Sequence, residues 1–272
     1  MPLLLEYRAD SQLPLDLSGF TPDWAGQRRL DEIKRHEVFL GNQRMPLAEL
    51  FAISGDPASG EVHFKGELAH VHAIGARMAI GTIHVEGNVG RNAGAEMSGG
   101  QLHVTGNAGD WLGRKMCGGT IHIEGNVGDF AGGTPGPARR GMSGGELLIA
   151  GNAGHEIGRA MRRGLIVVGG DAGDSLGLNL LAGTILVFGR CGPSPGIGMR
   201  RGTVGLFTPP VEMPLTFRPA NRWQPQFMRL LLNYVGQVGI KAAAQFIDSK
   251  YLSFHGDLLA LGKGEILVRE VV

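Results

Sequence analysis

The stretch GNVGRNAGAEMSGGQLHVT (87–105) runs directly into GNAGDWLGRKMCGGTIHIE (106–124), and the two share one pattern, GxxGxxxGxxMxGG followed by a short β-branched run. Self-similarity at a fixed period decides a fold class before any single element does. The GxxGxxxG unit begins at Gly87, Gly106, Gly125, Gly151, Gly170 and Gly189, so the step is 19 residues in every interval but one, where it is 26. Between the glycine units lie TIHVE (82–86), QLHVT (101–105), TIHIE (120–124), ELLIA (146–150), LIVVG (165–169) and TILVF (184–188). Alternation and composition make these strands. EVHFK (61–65) and TVGLF (203–207) read as degenerate outer copies.

A period this short leaves no room for a crossover helix, which excludes Rossmann and barrel arrangements and leaves stacked strands. The expected fold is therefore mainly β, a right-handed parallel β-helix with 19-residue coils, capped by short α/β segments at both ends. Stacking at about 4.8 Å per coil turns equivalent residues into ladders. One inward ladder is Val62, Ile83, Leu102, Ile121, Leu147, Ile166, Ile185 and Val204. A second is Phe64, Val85, Val104, Ile123, Ile149, Val168 and Val187, and a third is Met78, Met97, Met116, Met142, Met161, Leu180 and Met199. A thioether placed once per coil is a space filler. Asn88, Asn107, Asn126 and Asn152 form a further ladder able to hydrogen-bond from rung to rung, and the glycines belong at corners.

Composition bounds the function. The chain of 272 residues has a net charge of +1, which gives no global drive toward nucleic acid or an anionic membrane. Its 46 glycines lack the every-third spacing of collagen, and 43% hydrophobic residues argue against disorder. Cys117 and Cys191 follow no CxxC spacing, which excludes a disulfide framework and a four-thiolate metal site. The start MPLLLEYRAD lacks the basic and apolar regions of a signal peptide, and no run of about 18 apolar residues occurs. The expectation is a cytoplasmic protein with no nucleic-acid or membrane partner.

Several features invite a sharper reading. Six glycine units, each followed by a strand rather than by a helix, do not make a phosphate cradle. His63, His84, His103 and His122 occupy one outward column; four imidazoles in a line cannot surround one tetrahedral ion, although two neighbours and a partner's ligand could. The same column then turns apolar at Leu148, Val167 and Leu186, with Phe188 nearby. Such a patch needs a cover. The segment 225–246 offers one, with Phe227, Leu230, Leu231, Tyr234 and Val235 at helical spacing. Arg139, Arg140, Arg159, Arg162, Arg163, Arg200 and Arg201 are the candidate contacts to a partner or a polyanion, with the 162/163 and 200/201 pairs in one column two rungs apart. The insertion GTPGPARRG (133–141) is expected to project as a contact loop. MSGGE (142–146) has no His/Asp pair in register, so no catalytic, cofactor-binding or metal-ligating residue is nominated.

Three regions follow: residues 1–60 as an N-terminal α/β cap, 61–208 as the repeat β-helix, and 209–272 as a C-terminal helix and strand packing on it. Caps are needed because an open stack exposes strand edges.

GNVGRNAGAEMSGG (87–100) and GNAGDWLGRKMCGG (106–119) resemble both the C-terminal β-helix domain of the large chain of glutamate synthase and the C subunit of formylmethanofuran dehydrogenases. GFTPDWAG (19–26), FLGNQRMPLAELFAISGD (39–56) and FHGDLLALGKGEILV (254–268) are similar to the latter. With 20 arginines against 6 lysines, the composition suggests the bacterial relative, the C subunit of the formyltransferase/hydrolase complex. That resemblance implies a non-catalytic component of a complex converting formyl-tetrahydromethanopterin to formate through a formyl-methanofuran-type carrier, in formaldehyde oxidation. It implies a hydrolase-like subunit, a formyltransferase subunit and a further subunit as partners. The methanofuran-type carrier, tetrahydromethanopterin and a hydrolase metal are then expected on those partners, with no cofactor on this chain. The alternatives are the C subunit of a molybdenum or tungsten formylmethanofuran dehydrogenase and a stand-alone metal enzyme using the histidine column. A glutamate-synthase-type domain is disfavoured, since this chain has neither an N-terminal cysteine nucleophile nor a barrel domain.

Overall fold

The computed structural model describes residues 1–136, 140–210 and 212–270. The protein is mainly β, and its largest element is a 13-stranded sheet. The central order runs Leu3–Tyr7, Glu61–Lys65, Thr82–Glu86, Ser98–Val104, Gly118–Ile123, Ser143–Ile149, Arg163–Val168, Thr184–Val187, Arg201–Leu206 and Lys263–Arg269, all paired in parallel. Antiparallel strands close both edges, Phe51–Ser54 beside Leu3–Tyr7 at one end and Tyr251–Gly256 with Arg218–Trp223 at the other. Each chain end thus lends one parallel strand to the sheet, flanked on its outer side by antiparallel strands.

Register carries the repeat into three dimensions. Ile83 faces Leu102, Leu102 faces Ile121, Ile121 faces Leu147, and the steps continue through Ile166, Ile185 and Val204. A second line of parallel bridges joins Val89, Ala108, Val127, Ala153, Ala172 and Cys191 on the same rungs. All three apolar ladders are buried in one continuous core. Close stacking makes glycine obligatory at some corners: a Cβ on Gly106 would lie 2.5 Å from the carbonyl oxygen of Gly87 one rung below. Gly113, at φ +58°, would put one 2.7 Å from Leu147 Cδ2.

Glycine does not fill every left-handed corner. Asn92, Trp111, Phe130, Ser175 and Ser194 form one column of positive φ, and Arg77, Glu96, Lys115, Ala160 and Asn179, each just before the methionine ladder, form another. The amide of the latter residue bonds the carbonyl of the rung above, as in Arg77 to Ala95 at 2.7 Å and Glu96 to Arg114 at 2.7 Å. These bonds hold a conformation that costs roughly 1–2 kcal/mol per residue outside glycine.

A separate four-stranded sheet, Gln43–Pro46, Glu37–Leu40, Leu15–Asp16 and Val71–His72, lies at the N-terminal end. At the other end the helix Gln226–Gln237 and the 3-10 turn Lys241–Phe246 cross the outer face of the large sheet. One long helix over 225–246 does not form, because Gly239 adopts φ +111°. No helix among the described residues is long and apolar enough to cross a membrane.

Candidate functional site

The outer face of the large sheet divides into two halves. On the rungs that bear Leu148, Val167 and Leu186 the outward side chains are buried, together with Phe188 and Phe207, beneath Met228, Leu232, Val235, Ile240 and Ala243. The cover over the apolar outer column is therefore the chain itself. Its contact stripe only partly matches the expected one: Val235 faces the sheet as expected, together with Met228 and Leu232, Leu231 packs at the margin, and Phe227, Leu230 and Tyr234 face outward. Both stripes are apolar at spacings of three and four residues, so periodicity alone does not choose between them. Tyr234 instead donates its hydroxyl to Glu146 at 2.7 Å, which raises its pKa to about 12.

On the other half His63, His84, His103 and His122 stack in register, with ring centroids 4.9, 5.7 and 5.1 Å apart. His103 Nε2 lies 3.0 Å from Glu124, and Lys65 pairs with Glu86 at 2.8 Å. Burial, and then the neighbouring imidazoles, lower the pKa of His84 and His122, favouring the neutral rings. Among the described residues no group of three or more His, Cys, Asp or Glu side chains is arranged to hold a metal ion. Where the two halves meet, small Ala150 and Gly169 leave a cavity of about 490 Å³ between His122, Glu124 and Lys241. Sequence reading missed this cavity because the lid supplies one wall.

The asparagine column works differently from amide-to-amide stacking. Each Oδ1 accepts the backbone N–H of the rung above, from Asn107 to Asn88 at 2.8 Å, Asn126 to Asn107 at 2.7 Å and Asn152 to Asn126 at 2.8 Å. Asp171 continues the column, donating its amide to Asn152 at 2.8 Å and accepting from Arg190 at 2.6 Å. The buried Cys191 thiol has its pKa pushed up to about 12.

The candidate arginines fall into groups. Arg162 and Arg163 are exposed beside Ser143, on a surface groove of about 250 Å³. Arg200 and Arg201 are exposed two rungs further on, since Arg162 N bonds Met142 O, Leu181 N bonds Met161 O and Arg200 N bonds Leu180 O. None of these four guanidinium groups has an acidic partner among the described residues, and Lys263 extends the column by pairing with Arg201 across the strands. Arg159 stands apart, bonded to Glu156 at 2.7 Å. Arg140 is exposed, and Arg139 lies outside the described residues together with part of the 133–141 insertion. The start of that insertion is tucked inward, with Thr134 fully buried.

Comparison with known proteins adds the following. The C subunit of molybdenum-containing formylmethanofuran dehydrogenase 1 from Methanothermobacter thermautotrophicus is 40% identical over 95 residues, 35% of this chain and 24% of that protein. The C subunit of tungsten-containing formylmethanofuran dehydrogenase 2 from Methanothermobacter marburgensis is 35% identical over 96 residues, 34% of this chain and 36% of that protein. The matches thus span only about a quarter to a third of the length of these curated relatives. A chain in the crystal structure of the formyltransferase/hydrolase complex from Methylorubrum extorquens, in complex with methylofuran, superposes with a TM-score of 0.92 at 35% identity. That superposition covers 98% of this chain and 100% of the other. No family model matches.

Proposed function

The chain belongs to the family formed by the C subunits of formyltransferase/hydrolase complexes and formylmethanofuran dehydrogenases, and on that premise we propose that it is a non-catalytic structural component. Its complex carries formyl groups from formyl-tetrahydromethanopterin, through a formyl-methanofuran-type carrier, to formate in the one-carbon metabolism of formaldehyde oxidation. The observation that carries this reading is the end-to-end likeness to a chain of the Methylorubrum extorquens complex. Partners are a hydrolase-like subunit, a formyltransferase subunit and a further subunit. The carrier, tetrahydromethanopterin and a hydrolase metal reside on those partners, and the assembly is cytoplasmic, where two free thiols suit a reducing compartment.

In this reading residues 61–208 wind as a right-handed parallel β-helix with 19-residue coils, between a cap of residues 1–60 and a C-terminal element of residues 209–272. The 19-residue register steps and the second line of bridges support the winding. The non-catalytic role is supported by the duties already held by the repeated polar groups: Oδ1 atoms of the asparagine column bind backbone amides, and His103 binds Glu124. Arg139, Arg140, Arg159, Arg162, Arg163, Arg200 and Arg201 are the contacts to a partner or polyanion in this reading, led by the two column-sharing pairs 162/163 and 200/201.

A second reading, the C subunit of a molybdenum or tungsten dehydrogenase, is favoured by the 40% identity over 95 residues. Affinity purification of the tagged chain at native expression separates the two. Recovery of hydrolase-like and formyltransferase-like subunits without molybdopterin or iron–sulfur components is expected; recovery of those redox components selects the dehydrogenase. Zinc content and hydrolase activity in the isolated chain would overturn the scaffold role.

A further inference from the structure

The chain covers one apolar patch with its own helix and leaves another uncovered at the far end of the stack. The turn between the strands Tyr251–Gly256 and Lys263–Arg269 displays Leu258, Leu259 and Leu261 to solvent. Leu215 and Ile197 stand beside them, since Leu258 N bonds the Thr216 carbonyl at 3.1 Å and Asp257 bonds the segment that follows Ile197. Leu259 is 85% exposed and Leu215 88%, extreme values for leucine.

This turn is built rather than loose. Asp257 is buried, and its carboxylate accepts the amide of Gly198 at 3.0 Å and of Leu259 at 2.9 Å. Its carbonyl accepts the amides of Ala260, Leu261 and Gly262. A buried carboxylate thus fixes the backbone that presents the leucines, and a pre-ordered apolar knob loses little conformational entropy on binding. The surround is cationic. Arg200, Arg201, Arg218 and Lys263 are exposed on the flanking segments, against the exposed Glu212 and the half-buried Glu265.

We propose that this knob, with its basic rim, docks a partner subunit that presents an apolar socket edged with carboxylates. Charge selects that occupant: an apolar contact ringed by guanidinium groups without acidic partners among the described residues is matched by an acidic rim, and two copies of this end would set cation against cation. The proposal rests on the scaffold reading and deepens it by naming the docking face.

The test uses the co-expressed complex, purified through a tag on this chain. The double variant Leu258→Ser/Leu259→Ser is expected to cut recovery of a partner subunit by about tenfold or more, as loss of central apolar anchors does. The charge swap Arg200→Glu/Arg201→Glu is expected to cut it in low salt and to abolish its salt dependence. Melting of the isolated chain monitors folding and is expected to stay unchanged in the serine variant, whose altered residues face solvent. Full partner recovery with the serine variant overturns the proposal while leaving the scaffold reading intact. Wild-type chain that recovers no partner subunit overturns both. Two further outcomes also overturn it: leucine-dependent binding to phosphatidylglycerol vesicles, which would make the knob a membrane contact, and leucine-dependent dimerisation in sedimentation.

Discussion

His122 and Leu148 are register partners on adjacent rungs, in one outward column, over the same buried ladder, yet one lines an open cavity and the other is sealed under a helix. Below the sheet nothing changes across that step: Ile121 and Leu147 are both fully buried. In a stacked architecture the inner columns specify the fold, and the outer column is free to specify what the fold meets. Polar imidazoles leave four rungs of this face open, and aliphatic side chains commit the next rungs to the chain's own C-terminal helix.

The largest break in this comparison is Leu186→Asp, which sets an unpaired carboxylate under the lid. A loss of about 3–5 kcal/mol is expected, read by urea denaturation of the isolated chain. Unchanged stability would mean that the lid does not hold in solution. Next in size, Leu148→Ala is expected to cost about 2–3 kcal/mol, while His122→Ala, one rung away, costs under about 1 kcal/mol. Equal losses at the two positions would erase the division of the face.

A smaller effect separates the halves by pH. Burial lowers the folded-state pKa of His84 and His122 below the unfolded value near 6.5, so between the two values the unfolded chain binds more protons. The contribution is fully present above about pH 6.5 and is lost as pH falls through the depressed folded-state values. Melting curves from pH 7.5 to 5 are expected to show this loss, and His84→Gln/His122→Gln to reduce it. Tyr234→Phe sharpens the lid edge, removing the bond to Glu146 at an expected cost of about 0.5–1 kcal/mol.

The three apolar ladders and the histidine column were legible from sequence because each places one residue per repeat, most of them 19 residues apart, and parallel register converts that spacing into contact. The need to cover Leu148, Val167 and Leu186 was legible for the same reason. Which helix stripe does it was not, because Phe227, Leu230 and Tyr234 carry as strong an apolar period as Met228, Leu232 and Val235. Left-handed corners at Arg77, Glu96 and Trp111 were hidden behind the more obvious glycines, since their conformation is held by bonds from the neighbouring rung. The strand Leu3–Tyr7 and the Asp257 turn occur once and have no column to announce them. Of the candidate arginines, the two pairs sharing a column were readable as neighbours; the attachment of Arg159 to Glu156 depends on a local side-chain geometry that spacing does not encode.

The single 26-residue interval leaves the stack in step. Asn152 still reaches Asn126 at 2.8 Å, His155 still reaches Asp129 at 2.7 Å, and Leu147 still sits opposite Ile121. Length is therefore a free variable at this one corner: closing a longer loop costs only about 0.6 kcal/mol per doubling. Thr134 near its start is fully buried and the Gly141 amide at its end bonds the Ala160 carbonyl, so a reporter domain spliced in between these anchors is expected to leave the core register intact and to report whether this corner serves as a contact surface.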